Sequence, residues 1–374
     1  MSLRVGLNGA CFTNLPSGAN QRFLGIYGQL AILAPQIHFT IYTLPGSVLP
    51  QQFPRLDNVE LVEVPIAGQN RLTRYFQGCF IWENYLKEGQ LSIFEQFHLP
   101  LVKLPQGSTI LTIHDIRALV SKHNPFARAI GQMVFSKAIQ EANHIITVSH
   151  AMKKQILEFF PDARISVIYN GFEPRDLPDA PQLDRFRKKY SLADEFLLSV
   201  GHLEARKNYS RLIEALAVLR DRGRSLFLLI VGNDNGEGGK LRNLIASRGL
   251  SSQVKVLNGL SHEELQCAYV LSRLFIFPSS YEGFGIPILE AMATGTPMIL
   301  SDIPVFRELT ENQGLYFSPD DTGELADKIT YILDSNSEQN RITSYGTQRL
   351  QGFRFSSLAK QVTELYVSLG HSLV

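Results

Sequence analysis

The sequence predicts an α/β protein of two Rossmann-like domains, each a doubly wound parallel sheet, facing a central cleft. Three observations carry that prediction. Short apolar runs rich in Val, Ile, Leu and Phe recur along the chain and alternate with longer helical patterns, as parallel strands and crossover helices do. The runs fall into two series, separated by a stretch rich in proline and charge. A length of 374 residues also exceeds what one core usually serves.

The first series runs RVGLNG, IHFTIYTL, VELVEV, LSIFEQF, STILTIHD, HIITVS and ISVIYNG. The second runs EFLLSVG, LFLLIVG, VKVLNG, LFIFPS, TPMILS and QGLYFS. Between them FEPRDLPDAPQLDRFRKKYSLAD reads as a connector with one short helix, which sets a first domain at 1–172, a linker at 173–194 and a second domain at 195–354. Ser149 is placed to cap AMKKQILEFF, and Ser261 with Glu264 forms an S-x-x-E capping box ahead of LQCAYVLS. Beyond Tyr331 the pattern is helical, and its last segment, SSLAKQVTELYVSL, is expected to start at a serine cap. Leu358, Val362, Leu365, Tyr366 and Leu369 form an amphipathic stripe there, so the helix over 355–374 is expected to pack back on the first domain.

Composition narrows the function class. Hydrophobic residues make up 44% and charged residues 19%, the balance of a globular protein with a large core. With 36 basic against 35 acidic side chains nothing marks a nucleic-acid binder. Cys11, Cys79 and Cys267 lie far apart without a CxxC spacing, which suggests neither a disulfide framework nor a zinc site and fits a reducing cytoplasm. The start at RVGLNG lacks a basic and apolar run, and FLGIYGQLAILAPQIHFTIY is interrupted by Gln29, Pro35, Gln36 and His38, so neither a secretion signal nor a membrane span is expected. Arg71, Arg74, Arg128, Lys137, Lys153 and Lys154 leave peripheral contact with a membrane open, beside their plainer reading as solvated helix faces.

In open parallel sheets ligands bind beyond the carboxyl ends of the strands, so the loops there hold the candidate chemistry. After the first strand, Ser17, Gly18 and Ala19 would let backbone approach a bulky ligand, although a turn glycine is the commoner meaning. His114, with Asp115, ends another strand; it either donates to a ligand hydroxyl or satisfies a loop carbonyl. In the second series FLLSVG opens into HLEARKNYSRLIEAL, where Arg206 and Lys207 precede a helix expected near Asn208; two cations and free helix-end amides suit a diphosphate. There is no G-x-G-x-x-G after a strand, no P-loop and no D-x-D, so such a diphosphate is to be neutralised by cations and dipoles rather than by a held magnesium ion. The loop SSYEGFGI follows the strand LFIFPS, and Pro287 starts a helix that Gly295 and Pro297 end. Gly283 and Gly285 free backbone amides to face a ligand, while Glu282 is suited to sugar hydroxyls and Glu290 to a ribose diol. Read singly, Glu290 would merely complement a helix dipole and Glu282 would be a loop acid.

The pattern E-G-F-G-x-P-x-x-E-A-M-A-x-G-x-P, joined by SVGHLEARKN, VIYNG, IHD and VSH, resembles glycosyltransferase family 4, the retaining nucleotide-sugar transferases of GT-B architecture. The resemblance covers nearly the whole chain. It implies that Glu282 lies at the 3- and 4-hydroxyls of the donor sugar, and that amides of Phe284, Gly285 and Ile286 approach sugar and phosphate. It further implies Glu290 on the ribose, Arg206 and Lys207 on the diphosphate, Gly18 approaching from the other domain and His114 at the 6-hydroxyl. The base would lie against VLNGL, at Leu257 and Leu260, with Gly232 nearby. Two departures stand out: His202 replaces an arginine frequent in relatives, and Ser17-Gly18-Ala19 replaces a double glycine. The implied activity is metal-independent, cofactor-free, retaining transfer of a hexose from a UDP-glucose or GDP-mannose type donor, UDP-glucose first, to a glycan or lipid-linked saccharide hydroxyl in polysaccharide biosynthesis. An epimerase or phosphorylase on the same fold, and a catalytically silent sugar-nucleotide-binding subunit, are the other readings.

Overall fold

A computed structural model describes residues 3–11, 18–47, 49–65, 81–82, 84–87, 89–97, 99, 101–120 and 125–371. The chain forms two compact units, Met1–Glu173 with Phe353–Val374, and Pro174–Gly352. Ser17, Arg71, Arg74 and Cys79 lie outside the described residues.

The first unit holds a sheet of seven parallel strands: β1 (Arg4–Asn8), β2 (His38–Thr43), β3 (Val59–Glu63), β4 (Ile93–Gln96), β5 (Ser108–Ile113), β6 (His144–Thr147) and β7 (Ile165–Val167). Their order is β3-β2-β1-β4-β5-β6-β7. Strands β4 and β5 are buried along their whole length, as expected where helices cover both faces, whereas β3 at the edge is largely exposed. The order reverses between β1 and β4, the place where doubly wound sheets open a crevice.

One continuous helical stretch follows β1, through Gly18–Arg22, a π turn at Phe23–Tyr27 and Gly28–Leu33. Phe23 stacks on Tyr27 at 5.1 Å, and both meet Phe97 edge-on. The last helix, Phe355–His371, closes the same core, with Leu358, Val362 and Tyr366 fully buried and Leu365 and Leu369 packed beside them. Three hydroxyls converge on the buried Glu95 of β4: those of Tyr27 and Thr112 donate to Oε1 at 2.5 Å, and that of Tyr366 donates to Oε2 at 2.5 Å.

This helix does not begin at a serine cap. It starts at Phe355, and the amides of Ser357 and Leu358 donate to the Arg354 carbonyl. The ring of Phe355 explains the earlier start, because it fills a slot between two glycines: a Cβ on Gly25 would lie 2.3 Å from it, and one on Gly171 2.2 Å. Burying that ring outweighs the benefit of a side-chain cap, typically about 1 kcal/mol.

The second unit carries six parallel strands: β8 (Leu197–Val200), β9 (Leu228–Val231), β10 (Val254–Leu257), β11 (Leu274–Phe277), β12 (Met298–Ser301) and β13 (Leu315–Phe317). Their order is β10-β9-β8-β11-β12-β13, so the switch point falls between β8 and β11. The capping box forms as its spacing requires: Ser261 Oγ accepts from the Glu264 amide at 3.1 Å, and Glu264 Oε2 from the Ser261 amide at 3.0 Å. Residues 174–194 cluster with this unit. Their helix, Ala180–Lys189, buries Phe186, and Lys189 and Tyr190 reach Glu264 Oε1 at 2.6 and 2.9 Å. The charge run in this segment is thus the solvated face of a docked amphipathic helix.

No helix among the described residues is long and apolar enough to cross a membrane. Of the basic residues noted in the first half, Lys137 is exposed beside Glu141, and Lys153 donates to the Ile165 carbonyl at 2.9 Å.

Candidate active site

The site at the second switch point begins with two glycines. Gly201, just beyond β8, has φ +145, and a Cβ there would lie 2.8 Å from Lys207 Cε and Nζ. Gly232, just beyond β9, approaches so closely that its Cβ would stand 1.9 Å from the Gly201 carbonyl oxygen. Only glycine serves at either position. Tyr209 then ties the turn down by donating to the Gly201 carbonyl at 2.7 Å. The 3-10 turn Ala205–Lys207 carries the cationic pair, Asn208 takes a left-handed conformation at φ 55, and the helix runs Tyr209–Asp221.

The loop after β11 is stitched to that turn. The Ser280 amide donates to the Arg206 carbonyl at 2.8 Å, and Arg206 Nη1 donates to the Tyr281 carbonyl at 3.2 Å. Gly285, at φ +148, turns the loop into the helix Ile286–Thr294, with Pro287 in its first turn and a left-handed Gly295 at its end. These devices bring Glu282 over the two cations. Its Oε1 lies 2.6 Å from Arg206 Nη1 and 2.8 Å from Lys207 Nζ, with side-chain exposures of 11%, 22% and 8% respectively. Arg206 Nε pairs in addition with Glu204 Oε2 at 2.7 Å.

Burial and charge oppose each other in this cluster. Burial pushes the Lys207 ammonium below its ordinary value, with Glu282 working the other way, and Nζ also sits 4.6 Å over the Phe277 ring. Burial opposes the charge on Arg206 too, but Glu282 and Glu204 more than offset it and its pKa rises. Glu290, one turn into its helix, accepts at Oε2 from the buried Tyr269 hydroxyl at 2.8 Å. Burial raises the Glu290 carboxyl, against the hydrogen bond from Tyr269 and the field of Lys207.

Arg206, Lys207 and Glu282 therefore form one cluster, Glu290 lies within the field of Lys207, and Gly232 supports the turn through Gly201. Phe284 is buried beside the same helix start, and Ile286 opens that helix. Leu257 ends β10, its carbonyl accepting from the Gly232 amide at 2.8 Å, and Leu260 is half-buried three residues on. Gly18 and His114 belong to the first unit. Gly18 opens a helix, and one turn later Arg22 Nη1 donates to the carbonyls of Ile168 at 2.9 Å and Tyr169 at 2.5 Å. His114 Nε2 is buried and satisfies no loop carbonyl among the described residues. Burial, assisted by Arg22, pushes its pKa down to about 4, which leaves a neutral imidazole at neutral pH.

Sequence reasoning missed Tyr269, Phe277 and Glu204. Tyr269 and Phe277 look like core residues of a helix and a strand, and nothing in their spacing betrays a polar or cationic partner. Glu204, two residues before Arg206, carried a faint signal as an acid beside the cationic pair. No group of three His, Cys, Asp or Glu side chains suited to a metal stands among the described residues.

Two Rossmann-like parallel-sheet units of this strand order define the GT-B class. The family model of glycosyl transferases group 1 matches residues 182–349, and that of glycosyltransferase family 4 matches residues 31–176. The chain belongs to this family. It is 30% identical to the O-antigen chain mannosyltransferase RfbU of Salmonella typhimurium, over 65% of this chain and 66% of that one. It is 28% identical to O-antigen chain mannosyltransferase B of Escherichia coli, over 72% and 73%. The match thus spans about two thirds of RfbU's length. Among solved structures, sucrose-phosphate synthase from Thermosynechococcus elongatus superposes with a TM-score of 0.77 at 20% identity, covering 99% of this chain and all of that one. WaaG, a glycosyltransferase involved in lipopolysaccharide biosynthesis, does so with a TM-score of 0.70 at 19% identity, over 97% and 99%.

Proposed function

We propose that the protein transfers a hexosyl group, with retention and without a metal ion, from a nucleoside diphosphate sugar to a hydroxyl of a glycan or lipid-linked saccharide. The observation that carries this reading is the cluster at the end of β8, where Arg206 and Lys207 meet Glu282 beneath a helix start. In the reaction the anomeric C–O bond breaks, its electron pair leaves with the nucleoside diphosphate, and the acceptor oxygen bonds to the anomeric carbon on the same face. The acceptor's proton passes to the departing phosphate. Arg206 and Lys207 stabilise the charge that develops there, in a setting where burial strengthens the interaction.

The other residues take positioning roles. Glu282 accepts from sugar hydroxyls, and Glu290, held by Tyr269, accepts from the ribose. A neutral His114 hydrogen-bonds to the sugar. Amides of Phe284, Gly285 and Ile286, with Gly18, approach sugar and phosphate, while Leu257, Leu260 and Gly232 border the base. The names of RfbU and O-antigen chain mannosyltransferase B favour mannose, hence a GDP-mannose donor, over the UDP-glucose expected from sequence.

The test is a transfer assay with GDP-mannose and UDP-glucose against lipid-linked saccharide acceptors, with and without EDTA. Transfer from GDP-mannose that survives EDTA, and falls about 10² to 10³-fold in Lys207→Ala, is the expected outcome. Full activity of a folded Lys207→Ala variant would remove the assignment.

A further inference from the structure

Arg206, Lys207, Glu204 and Glu282 make a balanced set, two cations against two carboxylates, before any phosphate is considered. The balance is divided unevenly. Arg206 has two acidic partners, whereas Glu282 is the one carboxylate within ion-pair distance of Lys207 among the described residues. Both contacts to Glu282 are short and converge on one oxygen, Oε1, at 2.6 and 2.8 Å.

From this we infer that Glu282 is an internal counter-ion that competes with the diphosphate for Arg206 and Lys207, and so discriminates between the intact sugar nucleotide and the free nucleoside diphosphate. The inference rests on the proposed function and adds a second task to Glu282. When a sugar is attached, its hydroxyls offer the displaced carboxylate new donors, and both groups are satisfied. After transfer the sugar is gone, and nothing holds the carboxylate away from the cations. Glu282 then returns to Oε1-shared pairing and weakens the grip on the product. A buried lysine at 8% exposure also needs such a counter-ion while no phosphate is bound, because an unpaired buried charge is costly.

The experiment measures calorimetric dissociation constants of pyrophosphate, GDP and GDP-mannose for the full chain and for Glu282→Gln, which keeps shape and removes charge. Expected is pyrophosphate and GDP binding about 10- to 100-fold tighter in the variant, with a smaller gain for GDP-mannose and stronger product inhibition. Equal or weaker pyrophosphate binding by Glu282→Gln and by Glu282→Ala alike, with unchanged melting temperatures, would overturn the inference. Glu282→Ala, measured the same way, covers the case in which the glutamine side chain itself obstructs the seat, and tighter binding by it alone also supports the inference. Pyrophosphate binding needs neither sugar nor acceptor, so its outcome stands apart from a failure of the transfer assay.

Discussion

His114 shows how one buried side chain links structure to pH. Its folded pKa of about 4 lies below the ordinary 6.5, so the unfolded chain binds the extra proton more readily between those values. Stability from this group is therefore complete above pH 6.5 and is lost as pH falls towards 4, by roughly 3 kcal/mol in all. The prediction is that His114→Gln flattens the fall in melting temperature between pH 7 and 4 relative to the native chain; parallel curves would refute it. At this scale the nearness of Arg206, Lys207 and Glu282 could be anticipated because polar residues just beyond strand ends stand out against apolar runs, whereas Glu290, inside a helix, was marked only by the pattern it shares with Glu282. Tyr269 was not, since a tyrosine on an amphipathic helix is indistinguishable from packing until its hydroxyl is seen 2.8 Å from a carboxylate.

At the scale of elements, all thirteen strands among the described residues fall within the apolar runs marked from sequence, seven in one sheet and six in the other. Buried parallel strands demand such runs, and little else in the chain imitates them. Helix ends were legible where a local rule governed them, as at Ser261 and Gly295, and misread where tertiary packing won, as at Phe355. That residue supplies a prediction. Phe355→Ala removes the ring from its slot between Gly25 and Gly171 and is expected to cost about 3–5 kcal/mol, read as a lower midpoint in urea unfolding at unchanged slope. Gly171→Ala should be comparably damaging, since its Cβ would overlap the same ring; a neutral effect of both would show that the slot does not hold the helix.

For the whole molecule, length and the two series of runs led to two units, and the short helix expected in the connector is present at Ala180–Lys189, but charge and proline gave no sign that it docks on the second unit through Phe186. The second unit, Pro174–Gly352, has its own sheet, caps and cationic turn, and on its own it should fold cooperatively and bind pyrophosphate. Circular dichroism melting of that fragment, with and without pyrophosphate, checks the expectation. A broad, ligand-insensitive transition would show that it depends on the remainder.

The first unit stands differently, because Tyr366, the third donor to Glu95, arrives on a helix made after the entire second unit. During translation the amino-terminal sheet must wait, lacking part of its interior, while the later-made unit matures. The sheet made before the second unit is thus completed only after it, and a chain cut ahead of Phe355 would leave one finished half joined to one whose Glu95 lacks its third donor.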